Sequence, residues 1–335
     1  MTIKVQGWVE HDKGACSFYR MEQPFHALFA GGVNASASRY VRGDDLLDAG
    51  VTLVVAQRVV DPNAIIILDA LKQRGVPYLY ETDDLLTAVD PENPVSHFYA
   101  KKAVKVLIDT AIRNSAGITV STPELAAEMG GYGLPVWELP NSLPDYFGGP
   151  LFRSGQGHEG EVRVVWAGSL THHGDFHEKV RYGLRKAVRN GAAFYCVGAD
   201  YRSKLGGLGE HVPWSRNIPA FHRTLPRYDI GLAPLKRSRF NECKSELKVI
   251  EYQAAGVVPV AEDIAPYRRA IRHGVDGFLC RTEHEWKEAI ETLVSDSDLR
   301  HRMRLECLSL TSDRLIGARV GMWESAYTEA SPLPV

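Results

Sequence analysis

Short runs of β-branched and apolar residues alternate with helix-like segments twice along this chain, and that double alternation restricts the fold more than any other feature. In the first half, Ile3 to Trp8, Val51 to Ala56, Pro77 to Glu81, Gly117 to Val120 and Val136 to Leu139 are predicted strands. Helices are predicted near Phe18 to Phe29, Ala64 to Arg74, Val95 to Arg113 and Pro123 to Met129. Apolar strands separated by helices mark a parallel sheet covered on both faces. The pattern stops between Asn141 and Gly160, where Phe147-Gly148-Gly149-Pro150 and Ser154-Gly155-Gln156-Gly157 read as a linker. It then resumes, with strands over Val162 to Ala167, Ala193 to Val197, Asp229 to Ala233, Val257 to Ala261 and Gly277 to Cys280. Helices are predicted over Asp175 to Arg189, Ser245 to Ala255, Glu283 to Val294 and most of Ser297 to the end. At 335 residues the chain can bury two cores. The expectation is an α/β protein of two doubly wound, Rossmann-like domains, 1–145 and 161–311, joined by a hinge over 146–160 and followed by a helix within 312–335. In such sheets ligands sit beyond the carboxyl ends of the strands.

Several function classes are excluded early. The net charge of -2 lacks the basic excess of a nucleic-acid binder, so no nucleic-acid partner is expected. The five cysteines are scattered with no CxxC pair, which suggests neither zinc nor a disulfide framework and fits a reducing, cytoplasmic compartment. Met1 to Val9 does not read as a signal peptide, and no apolar run approaches the roughly 18 to 20 residues of a membrane span. Lys101, Lys102, Lys105 and Arg113 offer membrane-surface contact, although a charge run is more often a solvated face. The loop Gly14-Ala15-Cys16-Ser17-Phe18-Tyr19-Arg20 is not the G-x-G-x-x-G fingerprint, which argues against a nicotinamide or flavin cofactor.

The most informative segment runs from Phe240 to Val260. Ser245 reads as an N-cap and Gly256 as a helix stop, with Leu247, Ile250 and Ala254 on the face toward a sheet. Lys244, Lys248 and Glu251 form a second stripe. Two lysines at a helix start oppose its dipole by about 0.3 to 1 kcal/mol each, unless an anion sits there. A diphosphate in that place, with Glu251 on a ribose, is one reading. A solvated face with a Lys248–Glu251 pair is the other. Trp166-Ala167-Gly168-Ser169-Leu170-Thr171-His172-His173-Gly174-Asp175-Phe176 follows a strand, with Asp175 and Glu178 spaced as a capping box and Gly168 free to approach a ligand. On the other half, Arg20 is expected in the first turn of a helix, suited to an anion. Tyr78 to Leu86 places Glu81, Asp83 and Asp84 at a strand end, able to hold a hydroxyl or a cation. Thr122 and Pro123 read as a helix start.

Phe240-Asn241, Lys244-Ser245, Lys248, Glu251-Tyr252, Gly256 and Pro259-Val260 together resemble the donor-site helix of glycosyltransferase family 4. Asp229 to Leu235, Pro266-Tyr267 and His273 to Leu279 resemble the segments around it, so the likeness covers about Val162 to Leu310. The resemblance implies a GT-B fold whose last helix crosses back to the first domain, and a glycosyltransferase that moves a hexose from a nucleotide-diphosphate sugar to a hydroxyl, with retention. It implies Glu251 as ribose ligand, Lys244, Ser245, Glu246 and Leu247 as the diphosphate cradle beside Lys248, and Gly168, Ser169, Thr171 and His172 facing the donor. It also implies Ser17, Tyr19 and Arg20 on the acceptor side, with Asp83 and Asp84 positioning or activating the acceptor. No metal and no cofactor are expected; the partner is the nucleotide-sugar, and the acceptor class (protein, polysaccharide or lipid-linked) is open. Cys243 departs from the family, standing where many members carry a first glutamate separated from the second by seven residues. That departure keeps a binding protein of reduced activity as an alternative, beside a GT-B sugar-nucleotide epimerase.

Overall fold

The computed structural model describes residues 3–9, 14–39, 42–153, 160–172 and 178–331. It contains two six-stranded sheets in which every pairing is parallel. The first comprises β1 (Lys4–Trp8), β2 (Asn34–Ser38), β3 (Leu53–Gln57), β4 (Tyr78–Thr82), β5 (Gly117–Val120) and β6 (Val136–Glu138), ordered β2-β1-β3-β4-β5-β6. The second comprises β7 (Arg163–Gly168), β8 (Ala193–Gly198), β9 (Glu210–Val212), β10 (Ile230–Ala233), β11 (Val258–Glu262) and β12 (Phe278–Cys280), ordered β12-β11-β10-β7-β8-β9. Central strands such as β3 and β11 are buried at every position, hence their apolar sequence up to the closing Gln57 and Glu262. β2 and β9 were not predicted. β2 is Asn-Ala-Ser-Ala-Ser and β9 only three residues; both are edge strands, where short polar segments protect the sheet from further pairing.

Around the first sheet lie α1 (Gln23–Ala30), α2 (Gly43–Asp48), α3 (Pro62–Gln73), α4 (Lys102–Asn114) and α5 (Pro123–Met129). Around the second lie α6 (Glu178–Arg189), α7 (Leu247–Ala254), α8 (Ala265–Ala270), α9 (Glu283–Ser295) and α10 (Ser297–Ser309), and α11 (Ile316–Ala330) ends the chain's ordered elements. α5 starts as predicted: Thr122 caps the Leu125 amide and Pro123 takes the first turn, where its missing N–H costs nothing. The helix predicted over Val95 to Arg113 is two, a turn at Ser96–Tyr99 and then α4, parted at the extended Lys101. Tyr99 and Val104 are both buried yet five residues apart, which a continuous helix does not place on one face. His173, Gly174, Asp175 and Phe176, with the expected Asp175–Glu178 capping box, fall outside the described residues, as do Ser154 to Gly157 of the linker.

Two crossings join the halves. Leu143 pairs with Leu315 as an isolated parallel bridge, donating to Arg314 O at 2.7 Å while Ile316 N donates to Leu143 O at 2.8 Å. From there α11 returns to the first sheet, where Trp323 and Tyr327 are fully buried with Val5, Met21, Phe25 and Leu28. Phe240 and Cys243 of the second half likewise enter the core of the first, beside Val120 and Leu125.

Candidate functional site

The carboxyl ends of the two sheets face each other, and α7 begins at the groove between them. Asn141 Nδ2, from the first half, donates to Ser245 Oγ at 2.9 Å, and Thr122 Oγ1 donates to Cys243 O at 2.8 Å. Ser245 is therefore not the cap its sequence suggests, because its hydroxyl is engaged across the groove. Glu246 takes the N-cap position, and no side chain caps the first-turn amides. Lys248 Nζ donates to Ala167 O at 2.7 Å, at the carboxyl end of β7, and lies 5.1 Å from the Trp166 ring centroid. Lys244 Nζ sits 4.8 Å over the Phe240 ring and lines the groove, while Glu246 reaches Arg269 at 3.4 Å. Leu247 packs, half-buried, against the second domain's core.

One turn further on, Glu251 occupies the middle of a buried network. Its Oε1 accepts from Tyr19 OH of the first half and lies 2.9 Å from His222 Nε2. Tyr19 OH and His222 Nε2 are themselves 2.9 Å apart, and Tyr146 OH is 2.6 Å from His222 Nδ1. No hydrogen bond to Glu251 Oε2 is found among the described residues. Burial, and next the Glu251 charge, push the Tyr19 phenol well above its ordinary pKa, so it stays a proton donor. His222, on the short helix Ile218–His222, is wholly buried against the Tyr146, Phe147 and Phe221 rings. Nothing in Pro219-Ala220-Phe221-His222-Arg223 announces it; a lone histidine has no spacing to read.

The loop after β7 closes this side. An added Cβ at Gly168 would stand 2.6 Å from the buried Trp166 ring and 3.2 Å from His172, so glycine permits the close approach. Ser169 Oγ and Thr171 Oγ1 are 2.6 Å apart, and Tyr201 OH fixes the Ser169 and Leu170 carbonyls at 3.1 and 3.0 Å. Thr171 joins Lys244 on the groove wall, opposite Asp90, Glu92 and Asn93 of the first half. His172 stands edge-on to Trp166, with ring centroids 6.4 Å apart. Gly168, Ser169, Thr171, His172, Lys244, Ser245, Glu246, Leu247, Lys248 and Glu251 thus share one neighbourhood.

The acceptor-side residues divide differently. Phe18–Glu22 is a π-turn, a register that rotates both Tyr19 and Arg20 inward. Arg20 has no exposed surface: it pairs with Glu81 (Nε to Oε1 2.7 Å, Nη2 to Oε2 3.1 Å), donates to Asn141 Oδ1 at 3.2 Å and Leu139 O, and lies over Trp323. The expected anion contact of Arg20 gives way to a structural ion pair, and Ser17 is buried as well. Tyr19 faces Glu251 across the groove. Asp83 and Asp84 reach the groove side but share Arg58, at 2.7 Å from its Nε and 2.6 Å from its Nη2. Burial works against ionisation of Asp83, and the Arg58 and then Arg20 guanidiniums overcome it, holding the carboxyl below its ordinary value. Arg58 has φ 46°, the left-handed region, alone among the described non-glycine residues; sequence reasoning missed it because strain has no composition.

Cys16, Asp83 and Asp84 could each aim one atom at a common cation. The Arg58 guanidinium already bridges the two carboxylates, so this donor set does not fit a divalent metal. Cys243 turns into the first domain's core, where burial pushes its thiol up to about 11. Glu242, next to it, is engaged elsewhere: its Oε2 accepts from the Ala265 amide at the start of α8, 3.1 Å away. The pocket that Asp90, Glu92, Asn93, Thr171, Phe240, Asn241 and Lys244 line at one end of the groove has a cavity volume of about 10 Å³, enough for roughly one water. Among the described residues no helix is long and apolar enough to cross a membrane.

Residues 161–296 match the family model described as glycosyl transferases group 1. No curated protein sequence matches the chain. Among solved structures it is similar to Anabaena HepE in complex with UDP and glucose, at 12% identity and a TM-score of 0.70, over 97% of this chain and 100% of that one. A glycosyltransferase of Rickettsia africae (11% identity, TM-score 0.64, 98% of each chain) and WaaG, a glycosyltransferase of lipopolysaccharide biosynthesis (12%, 0.65, 97% and 99%), are similar too. Likeness at this identity establishes the fold: two Rossmann-like domains in the GT-B arrangement.

Proposed function

We propose that this chain, a glycosyltransferase whose C-terminal domain is of the glycosyl transferases group 1 type, transfers a hexose from a nucleoside-diphosphate sugar to a hydroxyl, without a metal and with retention. The observation that carries the reading is the meeting, at one groove, of the uncapped start of α7, Lys248 at the end of β7, and a carboxylate one turn on. A diphosphate seated on the α7 amides meets the positive end of the helix and the Lys248 ammonium; both gain strength as negative charge grows on the leaving oxygen. Lys244 extends the same positive wall. Glu251 Oε2 is available to a ribose hydroxyl. With cationic groups supplied by the protein, and Asp83 and Asp84 held by Arg58, neither the leaving group nor the carboxylate pair calls for a divalent ion.

Tyr19–Glu251 and Asn141–Ser245 span the groove, so in this reading the halves separate to admit the donor and close again over it. Several contacts across it suit such movement: Tyr19–Glu251, Asn141–Ser245, Arg239–Glu128, Arg269–Glu124 and Lys236–Glu92 are polar, and the last three are solvent-accessible ion pairs that contribute little. UDP-sugars are the first donors to test, since HepE binds UDP and glucose. Incubation with UDP-hexoses should release UDP slowly to water and faster with a hydroxyl acceptor. Lys248→Ala and Glu251→Gln, folded as judged by circular dichroism, should each lose most of that turnover; full activity in both would refute the assignment. The position of Cys243 supports a second reading, a binding protein of reduced activity, which tight nucleotide binding with no turnover of any donor would favour.

A further inference from the structure

The opposite end of the second sheet carries a feature the transfer reaction does not use. Asp229, Gly256 and Val258, at the amino ends of β10 and β11, form one wall of a cavity of about 170 Å³; Ser297, Arg300, His301 and Arg304 form the other. The four α10 residues recur at three- and four-residue spacing, so they make one stripe along the helix. At that volume the cavity exceeds the roughly 150 Å³ that accepts a benzene ring. Its position at the strands' amino ends puts it across the sheet from the groove.

The charges in it are not balanced. Arg304 is 4% exposed, and its Nε is a buried donor with no partner among the described residues. Nη1 donates to Gly256 O at 2.9 Å, which accounts for that nitrogen alone. Gly256 is needed for this, since an added Cβ would stand 3.0 Å from the guanidinium carbon. Arg300 spends Nη1 on Leu293 O at 2.5 Å, closing the end of α9, and its Nε and Nη2 have no partner among the described residues. His301 adds an exposed imidazole. Against these stands Asp229, whose Oδ2 already accepts from the Arg163 amide at 2.8 Å. Burial pushes the Arg304 guanidinium below its ordinary pKa, with Asp229 offsetting part of the effect, as expected for a buried cation short of a counter-ion.

We propose that this cavity is a second ligand site, binding a small phosphate-bearing molecule through Arg304, Arg300 and His301. The guanidiniums would meet the phosphate oxygens with charge-assisted hydrogen bonds, satisfying Arg304 Nε, while Ser297 Oγ donates at the rim. Size and polarity favour a phosphomonoester or free phosphate over a dinucleotide.

Inorganic phosphate is the probe, titrated calorimetrically against the full chain with sodium chloride holding ionic strength constant. The wild type should show saturable binding. Arg300→Ala with His301→Ala, both at accessible positions, should weaken it at least about tenfold, the loss of one charge-assisted bond, as should Arg304→Gln if that variant folds. Lys248→Ala reports on the other end of the domain and should bind phosphate like wild type. Absence of saturable binding overturns the proposal. So does binding that survives Arg300→Ala/His301→Ala but disappears in Lys248→Ala, since the phosphate would then occupy the groove.

Discussion

Replacing Tyr19 with phenylalanine should tighten nucleotide binding, although it removes a hydrogen bond. The Tyr19 hydroxyl donates across the groove to Glu251 Oε1, so it holds the halves together and occupies the carboxylate expected to meet a ribose. A hydrogen bond to a charged group contributes about 1.5 to 3 kcal/mol. Glu251 is 13% exposed and keeps His222 at 2.9 Å, which puts this bond toward the lower end, about 1.5 to 2 kcal/mol. Removing it shifts the balance from closed to open by about 12- to 30-fold. Apparent affinity scales with the fraction of competent molecules. The UDP dissociation constant should therefore fall by up to that factor, measured by isothermal titration calorimetry, while the melting temperature without ligand drops. Tyr146→Phe loses a contact to His222 Nδ1 that does not cross to the first sheet, and should change UDP affinity much less. Unchanged or weaker UDP binding in Tyr19→Phe would refute the argument that this contact competes with the donor.

Other consequences are as direct. Arg20→Met should destabilise the first domain by about 3 to 5 kcal/mol in denaturant titrations, because it strands the buried Glu81 carboxylate, and Arg20→Met with Glu81→Leu should recover much of the loss. The depressed pKa of Asp83 means that its ion pair with Arg58 stabilises fully above the ordinary carboxylate value near pH 3.9 and is lost as pH falls through the folded value; melting temperature should drop below about pH 4, less steeply in Asp83→Asn. Gly168→Ala places a methyl against the Trp166 and His172 rings, so donor turnover should fall with stability. If the reaction runs without a metal as proposed, chelation with EDTA should leave turnover unchanged; the Arg58 guanidinium already pairs with both Asp83 and Asp84.

The architecture was legible because buried parallel strands leave an unbroken apolar record: β3, β5, β7 and β11 were each located within two residues. A polar edge strand leaves no such record, and Asn34 to Ser38 is absent from the predicted strands, whereas the more apolar edges β6 and β12 were found. The Lys248–Glu251 pair on α7 was legible because helical spacing relates the two before any fold is known; Lys244, expected on the same stripe, lies before the helix begins. Partners distant in sequence were not. Ser245 reads as a cap until Asn141 arrives from 104 positions away, and Arg20 reads as an anion ligand until the π-turn aims it at Glu81. His222 and Arg58 owe their roles entirely to tertiary placement, one between three rings and the other at a strained strand end bridging two carboxylates.

The account stands on the start of α7 as the seat of a diphosphate, and the affinity difference between UDP and uridine isolates that contribution. Titrated into wild type, UDP should bind far more tightly than uridine. In Lys248→Ala, UDP should weaken by about 10- to 150-fold, the equivalent of one charge-assisted hydrogen bond, with uridine unaffected. Equal UDP affinity in wild type and Lys248→Ala would contradict the account.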